Sequence, residues 1–277
     1  MQNTRAMKLR LLTLNLWGDK PPLERRMEII AREIAALSPD IVALQEVREV
    51  PGELPNQADT LARGLGYSWA WGPTVELARG GHQGQAILCR FPLVEHATFL
   101  LPTISEGSQP RSLLMAKIMT PLGLMTSCST HLSHRAASGV DRERQVLAID
   151  GLLREHQGEL PQIILGDFNA TPDHDEIRFL RGRHTLEGRR VHYRDAYAEY
   201  CPFESQEGAT WASRNPYTRK AQLEPDRRID YVFLSHVETV VCMVNEARVV
   251  LDQPDADGVF GSDHFALFTE IDLCSAA

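Results

Sequence analysis

The sequence predicts an α/β fold whose sheets are mixed or antiparallel rather than fully parallel, and three observations carry that prediction. The first fifty residues read strand, helix, strand, the beginning of an α/β arrangement. From Trp69 to Leu132 several strands are joined by short turns, which favour antiparallel neighbours. Polar residues stand at the C-terminal end of some apolar runs and at the N-terminal end of others, so they meet at one edge only if strands run in both directions.

Lys8 to Leu16 opens the chain as a buried strand, since leucines fill both faces and the run stops at Trp17-Gly18-Asp19. Leu23, Met27, Ile30, Ile34 and Leu37 follow at spacings of 4, 3, 4 and 3, one apolar stripe with Glu24, Arg25, Arg32 and Glu33 off it, which predicts a helix. Ser38-Pro39-Asp40 ends that helix, because proline cannot continue the backbone ladder, and a strand follows over Ile41 to Val47. Strands are next predicted over 85–91, 93–100, 112–119 and 122–131, parted by Arg90-Phe91-Pro92 and Thr120-Pro121-Leu122-Gly123. Residues 140–156 read as a helix through Val146, Ile149, Leu152 and Leu153, and Ile163 to Gly166 as a strand. A polar helix near 173–182 and a long irregular segment, Cys201 to Arg228, precede closing strands over 229–235, 239–250 and 264–272.

The 277 residues suit a single domain spanning 1–277, and no internal repeat is apparent. Apolar residues at 43% and charged residues at 24% exclude a disordered or fibrous chain. A net charge of -8 argues against a protein that coats nucleic acid through a broadly basic surface; nucleic acid stays open as a substrate but is not favoured. The five cysteines are dispersed, form no CxxC pair and read as reduced thiols. No stretch reaches the roughly 18 apolar residues of a membrane span. The opening residues lack a signal peptide's apolar core and cleavage site, so a cytoplasmic location is expected. No obligatory protein partner is evident.

The residues that carry chemistry stand at strand ends: Asn15, Glu46, His131, Asp167 with Asn169, Asp230, and Asp263 with His264. Carboxylates and amide oxygens without cysteine suit a hard cation, Mg²⁺ or Mn²⁺, with Glu46 as the first ligand and Asn15 and Asp263 beside it. Water attacking a phosphate ester needs a group to activate it and hydrogen-bond donors for the charge that develops, duties that carboxylate, amide and imidazole can divide.

Six segments, Leu14-Asn15-Leu16-Trp17, Leu44-Gln45-Glu46-Val47, Thr130-His131-Leu132, Gly166-Asp167-Phe168-Asn169, Arg228-Ile229-Asp230-Tyr231 and Ser262-Asp263-His264, resemble in order the motifs of the endonuclease/exonuclease/phosphatase superfamily. The resemblance implies a four-layered α/β sandwich, two mixed, mostly antiparallel sheets face to face with helices outside. It further implies that Glu46 binds the metal with help from Asn15, that Asp167 activates or orients water, and that Asn169 holds that water or a phosphate oxygen. His264 would be oriented by Asp230 against the phosphate, Asp263 would lie near the metal, and His131 would contact the phosphate from the other side. Arg111 falls where such proteins often place a phosphate-facing arginine. Gln85 stands where an asparagine is frequent.

Each residue also has a plainer reading. Glu46 alone would be a solvated strand end, Asp167 a cap for a helix begun by Thr171-Pro172-Asp173, and either histidine an ordinary core or surface group. His134 competes with His131 and reads at most as a substrate-loop residue. Arg178, Arg181, Arg183, Arg189, Arg190 and Arg194 read as a solvated face. Arg214, Arg219, Lys220, Arg227 and Arg228 are better placed at the mouth of a site. Asp252, Asp255 and Asp257 lack the glutamate that closes an EF-hand and read as a solvated loop.

The expected activity is a metal-dependent phosphodiesterase, preferred over a phosphomonoesterase because no dense basic pocket for a dianion shows in the sequence. Asn15-Leu16-Trp17-Gly18 resembles the opening of the neutral sphingomyelinase-like branch, so phospholipid headgroup cleavage is an alternative, as are a DNA or RNA nuclease and a sugar or nucleotide phosphomonoesterase. A phospho-ligand binding protein on an inactive copy of the fold is disfavoured, since inactive copies lose ligands and none of these is missing.

Overall fold

In the computed structural model, which describes residues 6–202, 208–218 and 225–275, β1 (Ala6–Asn15) buries leucines on both faces. Leu9 and Leu11 enter a core between two sheets, whereas Leu12 and Leu14 enter a second core under α1 (Leu23–Leu37). Each such leucine contributes about 1.5–3 kcal/mol by leaving water, which explains why the strand has no polar face. The stripe on α1 docks Ile30 and Ile34 on the outer face of that sheet.

α1 crosses over to β2 (Ile41–Glu49), which lies parallel to β1, and antiparallel strands flank the pair. The remaining strands are β3 (Ser68–Glu76), β4 (His82–Cys89), β5 (Leu93–Leu101), β6 (Arg111–Thr120), β7 (Gly123–His131), β8 (Ile163–Asp167), β9 (Arg194–Asp195), β10 (Asp230–Leu234), β11 (Val240–Val250) and β12 (Ala266–Ser275). The first sheet runs β11-β12-β1-β2-β4-β3 and the second β5-β6-β7-β8-β10-β9. The second repeats the plan of the first: α3 (Gly139–Glu155) connects the parallel pair β7 and β8, with antiparallel strands outside.

Three cores separate four layers. Leu9, Ile41 and Ile87 meet Leu114, Ile163 and Val232 between the sheets; Val146, Ile149 and Leu153 of α3 pack on Ile164 and Phe233 on the far side. The mixed-sheet sandwich with outer helices is therefore the fold. Four elements lie where no element was expected: α2 (Gln57–Leu65), β3, β9 and α5 (Ala196–Tyr200). The polar helix near 173–182 is shorter, α4 (Asp175–Leu180). No helix among the described residues is long and apolar enough to cross a membrane.

Candidate active site

Strand register assembles one half of the site. In the second sheet Asp167 ends β8, with His131 of β7 beside it on the parallel side and Asp230 of β10 beside it on the antiparallel side. The strands approach closely at Gly166: a Cβ there would lie 2.1 Å from the Thr130 carbonyl oxygen. Asn169 adopts a left-handed backbone at φ 50°, donates its N–H to Asp167 Oδ1 at 2.9 Å and ties Nδ2 to the Leu132 carbonyl at 3.1 Å. Asp167 thus caps its own turn rather than a helix; α4 begins further on, with His174 as its N-cap.

A bulge in the first sheet supplies the other half. Gln45 and Glu46 together oppose Gln85 alone, between the pairs Leu44–Ala86 and Val47–Gly84, and Glu46 takes the left-handed conformation at φ 53°. A bulge of this kind re-aims one side chain, here leaving Glu46 on the cleft while Gln45 turns inward to Thr13 and Ser129. Asn15 donates to Asp167 Oδ2 at 3.1 Å and approaches Glu46 Oε1 at 3.5 Å. Its own oxygen accepts from Trp17 N–H at 2.9 Å, so as oriented Asn15 serves the two carboxylates as a donor.

The turn carrying Asp263 and His264 is fastened to β1 by the Ser262 hydroxyl, which donates to the Asn15 carbonyl at 2.6 Å. Behind it Arg26, fully buried, donates to the carbonyls of Leu16, Lys20 and Gly261. Burial lowers its pKa to about 10, against the opposing charges of Asp263, Tyr217 and Glu46.

The electrostatics separate the acids. Asp167 is pushed up to about 7 by burial, with Asp230 adding to the effect and His264 and Asn15 opposing it. Asp263 is pushed up to about 6 by burial, with Glu46 adding to it. Burial pulls the His264 pKa down, but Asp230, 3.0 Å from Nδ1, and Asp167, 3.7 Å from Nε2, together raise it well above the ordinary histidine value. His131, whose Nε2 lies 3.3 Å from Asp167, is held well below that value by burial, Arg111, His264 and His134. The two histidines beside one carboxylate are therefore pushed in opposite directions, a division suited to acid and base roles.

These groups open on a cleft of about 480 Å³ lined by Asn15, Glu46, Arg111, His131, Asp167, Asn169, Asp263 and His264. Asp230 is fully buried behind His264. The cleft also holds Arg48, Gln83, Gln109, Trp211, Arg227 and Ile229, none singled out from the sequence as part of the site except Arg227. Arg48 was findable, since it stands two residues beyond Glu46 on the same strand. Trp211 carried no local signal. Arg48 pairs with Asp19 at 2.5 Å, and the Arg227 guanidinium lies 4.6 Å from the Trp211 ring centre.

Other expectations resolve differently. Arg228 is not at the mouth: it grips buried Asp195 through both terminal nitrogens, at 3.1 and 2.9 Å. Arg214 pairs with Asp252, and Arg25 with Asp255 and Asp257, so the acidic loop is bound by arginines. Arg219 and Lys220 lie outside the described residues. In the basic stretch, Arg178, Arg189 and Arg194 pair with Asp175, Asp150 and Glu199, which makes it a structural surface. Gln85 accepts from the Thr74 and Ser112 hydroxyls and is buried in the sheet packing.

A family model described as the Endonuclease/Exonuclease/phosphatase family matches residues 12–264. An uncharacterized protein of Caenorhabditis elegans is 26% identical over an alignment of 308 residues, covering 95% of this chain and 90% of its own. Among solved structures, an endonuclease/exonuclease/phosphatase from Beutenbergia cavernae is similar at TM-score 0.71 and 24% identity, over 96% of this chain and 72% of that one. D. rerio TDP2 complexed with single strand DNA product is similar at TM-score 0.74 and 20% identity, over 95% and 98%. The human Nocturnin catalytic domain with bound sulfate anion is similar at TM-score 0.70 and 21% identity, over 98% and 97%.

Proposed function

Because the chain belongs to the Endonuclease/Exonuclease/phosphatase family, whose members are divalent-metal-dependent phosphoester hydrolases, we propose that it is a phosphodiesterase cleaving a P–O bond by attack of an activated water. One observation carries this reading: Asp167 Oδ2 lies 3.1 Å from Asn15 Nδ2, 3.3 Å from His131 Nε2 and 3.7 Å from His264 Nε2, three groups from two sheets around one carboxylate.

The residues fit a hard cation. Glu46 and Asp263 face the same cleft, and burial, with a smaller addition from Glu46, raises the Asp263 pKa, a cost of charge that a Mg²⁺ or Mn²⁺ ion would relieve. When bound there, the metal supplies Lewis acidity to a phosphate oxygen. Asp167, with its pKa near 7, takes the proton of the attacking water, held in place by Asn15 and by the Asn169 backbone. Protonated His264, fixed by Asp230, donates to the oxygen on which charge develops, and neutral His131 and Arg111 bracket the phosphate from the other side.

A second placement of the metal has an observation in its favour: ligand atoms of Asp167, Asp230 and His264 lie within 4.8 Å of one another. A ligating imidazole must be neutral, however, and His264 between two carboxylates favours the proton. Titration with Mn²⁺ followed by paramagnetic resonance separates the two placements: Glu46→Gln and Asp263→Asn should each weaken binding at least ten-fold and Asp230→Asn little, whereas the reverse order selects the second.

The diester preference is supported by the cleft's charge. Of the three guanidiniums in the cleft, Arg48 is paired with Asp19 and Arg227 lies over the Trp211 ring, while Arg111 has no ion-pair partner among the described residues, a modest positive charge that suits a monoanionic diester. The test is hydrolysis of bis(p-nitrophenyl) phosphate and p-nitrophenyl phosphate with Mg²⁺, Mn²⁺ or chelator, with Asp167→Ala as control. Metal-dependent diester cleavage lost in the variant is the expected result; monoester preference directs the reading to sugar or nucleotide phosphates. Single-stranded DNA, named with D. rerio TDP2, and phospholipid vesicles are the natural diesters to assay next.

A further inference from the structure

The pairing of Arg111 with His134 fixes where the imidazole proton sits. Arg111 Nη2 and His134 Nδ1 are 2.9 Å apart. A guanidinium offers five N–H donors and no acceptor, so Nδ1 must accept and the ring proton must reside on Nε2. Arg111 is 4% exposed and lines the cleft at the start of β6, whereas His134 stands on the cleft's exposed rim. Among the described residues no hydrogen bond engages His134 Nε2.

The backbone around His134 is held on both sides. The Leu132 carbonyl accepts from Asn169 Nδ2 at 3.1 Å, and Ser133 N–H donates to Gln145 at 3.1 Å. Arg142 Nη1 donates to the carbonyls of Ser133 at 3.1 Å and Arg135 at 3.0 Å. Arg142 is in turn locked by an ion pair with Glu176, both side chains 2% exposed. A rim loop fastened this firmly presents the His134 Nε2–H in a fixed place, the condition under which a hydrogen bond contributes to binding with little ordering cost.

Building on the phosphodiesterase reading, we propose that His134 is a further substrate-binding residue, an imidazole set by Arg111 as the neutral Nε2–H tautomer that donates to an acceptor oxygen of the group esterified to the scissile phosphate. Burial and the neighbouring Arg111 charge lower the His134 pKa, in keeping with a neutral ring. The same buried guanidinium disfavours a cationic substituent on this side. The seat therefore takes an oxygen-bearing ester arm, such as a sugar or glycerol, in preference to a quaternary ammonium.

Two measurements test it. Long-range nitrogen-15 correlation spectra of His134 in the whole protein at neutral pH should show Nε2 protonated and Nδ1 bare; a protonated Nδ1 overturns the proposal whatever the activity. His134→Ala should lower kcat/KM for the p-nitrophenyl ester of thymidine monophosphate about ten-fold, the size of one hydrogen bond to a charged or strongly polar group. The loss should fall mainly on KM, with His134→Gln, which can accept from Arg111 and still donate, recovering most of it. p-Nitrophenylphosphorylcholine should respond little to either variant. Equal loss on both esters, or no rescue by glutamine, overturns the substrate contact. If wild-type protein cleaves neither ester, the phosphodiesterase reading falls and the substrate role with it, while the spectra still decide the tautomer.

Discussion

Asp230→Asn isolates one charge at the centre of the site. His264 Nδ1 lies 3.0 Å from Asp230, and the whole pair is buried, so little solvent screens it. The variant keeps the shape and an acceptor atom but removes the charge. A hydrogen bond to a charged group contributes about 1.5–3 kcal/mol, equivalent to about 1–2 pKa units on His264. If the reaction needs the imidazolium, kcat on the alkaline limb of the profile should drop about 10- to 150-fold. The direction of the pH effect follows from the sign: Asp230 raises the His264 pKa, so its neutralisation lets burial pull that pKa down, and the alkaline limb of the kcat profile should move to lower pH by a similar 1–2 units. The assay is diester hydrolysis with saturating Mn²⁺ across the pH range, with a thermal melt to show the variant folded. The lost interaction of about 1.5–3 kcal/mol should lower the midpoint by about 3–12 °C while the transition stays cooperative. A kcat within two-fold of wild type and an unmoved alkaline limb would refute the imidazolium role of His264.

The raised carboxyls predict how the chelated protein responds to pH. Asp167 at about 7 and Asp263 at about 6 both bind protons more tightly folded than unfolded, so their contribution is full below the ordinary carboxylate range and lost as pH rises through those values. The melting temperature in chelator should fall between about pH 4 and 7, and Mg²⁺ should restore more at pH 8 than at pH 5; a flat chelator profile counts against it. Arg142→Met leaves Glu176 buried without its partner and should cost about 3–5 kcal/mol, a drop of about 6–20 °C at about 2–4 °C per kcal/mol. Arg142→Met with Glu176→Leu should recover much of that drop, because the stranded charge is then gone, and calorimetry of the single and double variants checks both statements.

Much of this site was written in the strand ends. Asn15, Glu46, His131 and Asp167 close apolar runs whose burial is a local property, and hydrophobic pattern alone locates them. Asp230 and His264 fell into place because opposite strand directions were the one way to bring six such ends together. What escaped depends on distant partners. β3 carries Gly72 and Pro73, residues that argue against a strand, yet Gly72 is bare because a Cβ would meet Thr98 of β5 at 2.9 Å and Leu114 of β6 at 3.2 Å. Short α2 is capped by Asn56, whose side chain accepts from Ala58 and Asp59 N–H, but its docking is settled by Leu61 and Ala62 against the first sheet. Trp211 joins the cleft through Thr210, whose hydroxyl accepts from the N–H groups of Ile229 and Asp230 across some twenty residues of chain. The misplacement of Arg228 has the same origin, since Asp195 could not be recognised as its partner before the sheet order was known.

The left-handed backbone at Glu46 sets heat resistance against chemistry at a single residue. A carboxylate with its own Cβ occupies a conformation that glycine adopts freely and other residues visit at a cost of about 1–2 kcal/mol. Glu46→Gly would relax the bulge and remove one of the carboxylates that face the cleft with Asn15, so the resulting protein should be inert and at the same time harder to melt in chelator. A lineage released from the need to hydrolyse would thus gain robustness from the very change that silences it.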